Sequence, residues 1–433
     1  MDFGHHRRKT LNGLSEYLLM PVVSHLLQDM MTKPSPIRQI MKMASEKNII
    51  NMGLDPEDII SYGGGWVGHH SPERFRDAYT SISADRERFH ESGKYSPTLG
   101  FPECREAIAA MEQALFGVDI EDSNVIVGQS STQLTHDILV SIANPGDTIL
   151  LLDPTYANYM GQIEMTLAGS KLLRLPVLDS NTWQYITQEE TVVDRFMQLV
   201  DEHHPRMVIV PSPDNPSSQI MPQKVINAFM DICQDSGMFL VIDHAYKTQV
   251  FDNTPSYFSW SPCDYSQLIT IHSNSKWCRG LGRRLGWVEA HPDIIDGMER
   301  TQQCSILCPD TLHQMAMTAY IKNSLGNRSL QAYIKKNRQA YRTAAEITVK
   351  EIKRHLGMPH LIPQGGLYTL MQVHEDGDTF VKRVLKNTGV LFIPGRGFGD
   401  TLVEGVRISY GPHVENTETI KEGFERVAEY LGT

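Results

Sequence analysis

From about residue 120 onward, short β-branched apolar runs alternate with longer stretches of helical spacing, and each run ends on polar or aromatic residues. Residues 125–127, 148–152, 171–175, 207–210, 238–242 and 268–272 read as strands. Between them, 132–143 (closed by the turn Asn144, Pro145, Gly146, Asp147), 192–203 and 222–234 read as helices. This alternation predicts βαβ units, and so an α/β fold whose mainly parallel sheet is flanked by helices. After about residue 310 the pattern changes to long helices bearing Lys, Arg and Glu, such as 330–355, with short strands near 366–373 and 406–409. The expected organisation has three segments: 1–90, contributing to a smaller α+β domain; 91–310, the large sheet domain; and 311–433, the remainder of the small domain. Near the start, 11–31 follows helical spacing but contains Glu16, Pro21, His25 and Asp29, which reads as a helix packed on a neighbouring domain or subunit rather than a membrane span.

Composition narrows the function classes. With 40 Lys+Arg against 51 Asp+Glu, the 433-residue chain carries a formal charge of −11 and no concentrated basic stripe, which argues against a nucleic-acid partner. Six scattered cysteines fit a reducing compartment, and the N-terminus lacks the apolar core of a signal peptide, so a cytoplasmic protein is expected. Cys304 and Cys308 stand four apart without a second ligand pair at zinc-like spacing. Asp201, Glu202, His203 and His204 imitate a metal site but end a helix before a strand, where solvent exposure is the plainer reading. No metal is expected.

Ligands of open α/β sheets bind beyond the carboxyl ends of the strands. Here those ends form a series: 129–132, 153–156, 212–218, 243–246 and 273–284. Asp243 follows Phe239, Leu240, Val241 and Ile242, so its carboxylate starts from a buried strand and needs a cation or strong donors; alone it is as readily a helix cap or a structural ion pair. Lys276, in Ser273, Asn274, Ser275, Lys276, follows another strand near Arg283 and Arg284. A lysine so placed has the lowered pKa of an amine nucleophile and base, although most lysines are solvated surface groups. Ser130, Ser131 and Thr132 precede a helix and offer hydroxyls and free N–H groups to a phosphate, or else a simple N-cap.

Taken together these residues resemble the class I and II aminotransferases, the fold type I enzymes that depend on pyridoxal 5'-phosphate (PLP), over the span from about Ser35 to the C-terminus. Ser273-Asn274-Ser275-Lys276 followed by Arg284-Leu285-Gly286 resembles the family's lysine signature. The resemblance implies a large PLP-binding domain with a smaller α+β domain, a Schiff base at Lys276, and phosphate ligands in Ser273, Ser275, Arg284, Ser130, Ser131 and Thr132. It further implies Asn215 and Tyr246 at the cofactor's phenolic oxygen, Asp243 at its pyridine nitrogen, Tyr156 stacked on its ring and Arg407 on the substrate carboxylate. Tyr95 is similar to the tyrosine that reaches the neighbouring subunit's phosphate, which implies a homodimer with shared sites. Lys276, Asp243 and Tyr246 would be the catalytic set, with Gly65 and Trp66 on the substrate side.

The sequence departs from the family pattern in places: Asn-Pro-Thr-Gly reads Asn215, Pro216, Ser217, Ser218 here, and His244 replaces the acid often found after the aspartate. Trp66, His69 and His70, in a glycine-rich segment, line either the pocket or a packed loop. No second arginine stands out as a clamp for a distal carboxylate, so a dicarboxylic substrate is not supported. The expected reaction is amino transfer from an amino acid to a 2-oxo acid. The alternative is PLP-dependent elimination, replacement or cyclisation of a specialised amino acid, motivated by the segment 66–70. A PLP-sensing transcriptional regulator would need a DNA-binding domain, for which the stretch before Gly63 is too short and insufficiently basic.

Overall fold

The computed structural model describes residues 23–32 and 35–433, and the chain divides into two compact units, Met1–Ser35 and Pro36–Thr433. In the first, helix α1 spans His25–Thr32; residues 11–22 of the expected N-terminal helix lie outside the described residues.

The second unit is built on a seven-stranded sheet of β1 (Val125–Gly128), β2 (Thr148–Asp153), β3 (Lys171–Pro176), β4 (Met207–Pro211), β5 (Phe239–Asp243), β6 (Leu268–Ser273) and β7 (Gly286–Glu289). Its order is β1-β7-β6-β5-β4-β2-β3, parallel throughout except for β7, which runs antiparallel to both neighbours. The strands read as unbroken apolar runs because side chains alternate between two covered faces. Leu150, Leu152, Val208, Val210, Leu240 and Ile242 join one buried cluster, while Ile149, Leu151, Met207, Ile209 and Val241 join the other.

Along the chain the helices over this sheet include α2 (Glu73–Ala84), α3 (Pro102–Phe116), α4 (Ser131–Ile142), α5 (Glu189–His203), α6 (Gln223–Ser236), α7 (Pro292–Ser305) and α8 (Thr311–Leu325). α5 and α6 cover one face and α4 and α7 the other. α3 and α6 stop at Gly117 and Gly237, whose φ of 75° and 70° supplies the left-handed residue that closes a helix. Phe75, Ala78 and Ile82 of α2 and Ala316, Met317, Tyr320 and Ile321 of α8 share a cluster with Val125, Val127 and Trp287 of the sheet. The large packing unit therefore recruits helices from both sides of residues 91–310.

Helix α9 (Ser329–Glu351) runs from that cluster, at Leu330 and Ile334, into the second core, at Tyr341, Ala344 and Ala345. There α10 (Gly377–Thr388) and α11 (Glu418–Leu431) pack with a three-stranded antiparallel sheet. Its strands are β8 (Tyr368–Gln372), β9 (Ile393–Pro394) and β10 (Gly405–Ser409), in the order β8-β10-β9. Ile40, Ile49, Ile60, Tyr62 and Val67 complete this core from the N-terminal side. Among the described residues no helix is long and apolar enough to cross a membrane.

Candidate active site

Five strand ends and two segments of the core around β8–β10 come together. At the end of β6, Ser273 caps the short helix Asn274–Trp277: its Oγ accepts from Ser275 N–H at 3.1 Å and donates to Ser275 Oγ at 2.8 Å. That turn aims Lys276 inward, where its Nζ donates to the carbonyl of Gly65 and lies 5.9 Å from the centre of the Tyr246 ring. Burial, aided by the positive charges of Arg407 and Arg284, holds the lysine below its ordinary pKa, while Tyr368 and Asp243 pull the other way.

Asp243 closes β5. Its carboxylate accepts from Tyr159 O–H at 2.6 Å and from Ala245 N–H at 2.9 Å. Burial raises its pKa despite those donors and the charges of His272 and Lys276, so a further positive group would be favourable beside it. Tyr156 stands edge-on to Tyr159, ring centres 5.3 Å apart, and burial pushes its phenol up to about 12.

Arg407, on β10, is 6% exposed. It donates to Asn215 Oδ1 at 2.9 Å and to Gly63 O at 2.8 Å, and lies 4.3 Å and 4.9 Å from the ring centres of Tyr368 and Phe398. Its Nε has no partner. Phe398 O in turn accepts from Thr155 N–H at 3.0 Å, and Asp153 accepts from Thr401 Oγ at 2.7 Å. The turn beneath the arginine is thereby tied to the Tyr156 loop.

The departures from the family pattern have local explanations. Ser217 caps Asp214, donating through N–H at 3.1 Å and through Oγ to the same carboxylate oxygen. Ser218 takes φ 55°, the left-handed conformation that glycine adopts freely, and its Oγ accepts from Tyr368 N–H at 3.0 Å. His244 is buried and bonded through Nδ1 to Ser212 O at 3.1 Å, and burial holds it well below the ordinary histidine range.

Ser130, at φ 99°, precedes α4 without making a side-chain cap, so the first N–H groups of that helix lack an internal acceptor. Gly286 of β7 brings this helix start against the end of β6: a Cβ there would lie 2.6 Å from His272 O and 2.9 Å from Ser131 N. The uncapped α4 terminus thus stands beside the strand end that leads into Ser273 and Ser275, an arrangement suited to a phosphate. Thr132 is exposed, as is Arg284, which donates to Leu281 O at 2.7 Å.

Three sequence candidates stand apart from the buried group. Tyr95 is 82% exposed and Trp66 48% exposed. His69 belongs to packing rather than to a pocket: it is 1% exposed and its Nδ1 pairs with Tyr341 Oη at 2.7 Å.

The sequence reading passed over Tyr368, whose Oη meets Tyr246 Oη at 2.9 Å, and Tyr159. The register Leu370↔Arg407 and Tyr368↔Ser409 puts Tyr368 on the arginine's face, and Tyr159 stands one helical turn after Tyr156. It also passed over a buried group behind β6, where Glu112, His272 and Glu289 gather. The Lys247 ammonium lies 2.7 Å from Glu112 Oε2 and supplies positive charge there.

The family model for aminotransferase class I and II matches residues 68–427. An aromatic-amino-acid aminotransferase 2 from Thermococcus litoralis is 26% identical over 405 residues, 92% of this chain and 96% of that protein. An aspartate aminotransferase from Pyrococcus horikoshii is 24% identical over 93% of this chain and 96% of its own length. The Thermus thermophilus aspartate aminotransferase solved with maleate superposes with a TM-score of 0.80 at 24% identity, covering 95% of this chain and all of that one.

Proposed function

Since the chain belongs to the class I and II aminotransferases, we propose that the strand-end cluster around Lys276 is its PLP site and that it transfers the amino group of an amino acid to a 2-oxo acid. The observation that carries this reading is the gathering of a half-buried amine, a buried strand-end carboxylate and a fixed guanidinium, with an uncapped helix start packed against the end of β6. When bound, PLP supplies an electron-accepting ring joined to the substrate Cα.

The residues fit that group. Lys276 would hold the aldehyde carbon and, once displaced by the substrate amine, take and return the Cα proton; its lowered pKa favours the neutral amine this needs. Asp243, with its raised pKa, would meet the pyridine nitrogen and keep its proton in place. Asn215 and Tyr246 would hold the phenolic oxygen, and Tyr156 would cover the ring. Ser130, Ser131, Thr132, Ser273, Ser275 and Arg284 would surround the phosphate. Arg407 would grip the substrate carboxylate with a two-pronged bond, Gly65 and Trp66 bounding the far side.

Tyr95 would serve the partner subunit's phosphate in a two-fold dimer, a role its exposure leaves open to it. The test is to add an amino acid donor alone to the purified, PLP-loaded protein. Conversion of the cofactor to its pyridoxamine form, seen by absorbance and recovered by mass spectrometry, supports the reading. Release of ammonia with the cofactor unchanged, or no conversion with any common donor, contradicts it.

A further inference from the structure

Tyr246 and Tyr368 meet hydroxyl to hydroxyl at 2.9 Å, and each hydroxyl has a single proton to give. On the reading above, the Tyr246 proton goes to the phenolic oxygen of PLP, so Tyr246 has none left for Tyr368. We propose that Tyr368 is a further positioning residue of the reaction: it donates to Tyr246 and thereby commits the Tyr246 proton to the cofactor.

Tyr368 is held for this purpose. It is 1% exposed, its backbone N–H donates to Ser218 Oγ at 3.0 Å, and the Arg407 guanidinium lies 4.3 Å from its ring centre. The cation packed on its ring face fixes the phenol in place, and with the Tyr246 proton committed to the cofactor only the Tyr368 proton is left to close the 2.9 Å contact. Gly65 makes the crowding possible: a Cβ there would lie 2.8 Å from Tyr368 Oη and 3.5 Å from Lys276 Nζ. The charged and titratable groups facing Tyr368 are thus Arg407, Lys276 and Tyr246, with Tyr156, Tyr341 and Tyr410 around them.

The experiment is a pH titration of the visible absorbance of the PLP-loaded protein. A donor at the phenolic oxygen favours the form that carries no proton there, so weakening that donor moves the titration to higher pH. Tyr368→Phe keeps the ring against Arg407 and removes only the hydroxyl. It is expected to raise the midpoint by about 0.5 to 1 pH unit, the scale of one hydrogen bond. In a Tyr246→Phe protein the same substitution should move the midpoint by less than about 0.2 unit, since the group that received the proton is gone.

Gly65→Ala, which crowds the hydroxyl without deleting it, should shift the titration upward when Tyr368 is present and not when it is phenylalanine. If Tyr368→Phe folds poorly, Gly65→Ala is compared in the parent and in the Tyr246→Phe protein instead, an upward shift in the first and none in the second being expected. A Tyr368→Phe protein titrating like the parent, or an equal shift with and without the Tyr246 hydroxyl, overturns the proposal. A parent protein that takes up no PLP is a separate result, read before any variant is made, and overturns the PLP reading on which the proposal rests.

Discussion

Replacing Arg407 by lysine separates a charge from a shaped charge. In the folded chain the guanidinium is fixed by Asn215 Oδ1 at 2.9 Å and Gly63 O at 2.8 Å, and lies between rings at 4.3 Å and 4.9 Å. Lysine preserves the positive charge but has neither the planar fork nor the stacking surface. A hydrogen bond to a charged group contributes about 1.5–3 kcal/mol, and lysine retains one of the two a carboxylate would receive. The expected loss in kcat/KM is therefore roughly 10- to 150-fold.

The assay follows cofactor conversion with an amino acid donor and, in parallel, with the amine that lacks its carboxylate. The loss should be confined to the amino acid, because the amine has nothing for Arg407 to hold. A variant matching the parent on the amino acid, or losing equally on both donors, would refute the assignment of Arg407.

Asp243→Asn should retain PLP yet lower kcat by roughly 10²- to 10³-fold, the scale of removing one preorganised electrostatic partner; steady-state rates check this, and a parent-like kcat speaks against the role. His69 is held near a pKa of about 4, chiefly by burial, against about 6.5 in an unfolded chain. Between those values the unfolded chain binds the extra proton, so stability falls as pH falls, by about 2.5 kcal/mol from pH 7.5 to pH 4.5. Urea midpoints at the two pH values should accordingly lie closer together in His69→Gln than in the parent, and an unchanged gap contradicts the burial argument. Mixing inactive Lys276→Ala and Tyr95→Ala subunits under exchange should regenerate active dimers, because one site of each hybrid is intact only if Tyr95 crosses between subunits. Mixtures no more active than the separate proteins would place Tyr95 outside the partner's site.

Much of the large sheet was legible because a strand covered on both faces is written as an unbroken apolar run: the expected 207–210 and 268–272 became Met207–Pro211 and Leu268–Ser273. β7 escaped because it is a four-residue antiparallel insertion, Gly286–Glu289, whose buried Glu289 breaks the apolar signal and is accommodated by His272, Thr270 and Trp287, with the Lys247 charge nearby. Local periodicity was equally silent on α2 and α8, whose packing on the sheet is a property of the assembled cluster. Among the candidate site residues, those following a strand stood out in the sequence. Tyr368 did not, because its role arises from a partner strand entering with Arg407, 39 positions later in sequence order. His69 looked chemical from its composition but found Tyr341, a residue no spacing connects to it.

The most direct measurement is to reduce the PLP-loaded protein with borohydride, digest it and locate the added phosphopyridoxyl mass. One modified peptide is expected, carrying the adduct on Lys276. An adduct on another lysine, or none in a protein that nonetheless turns over amino acids, would contradict it.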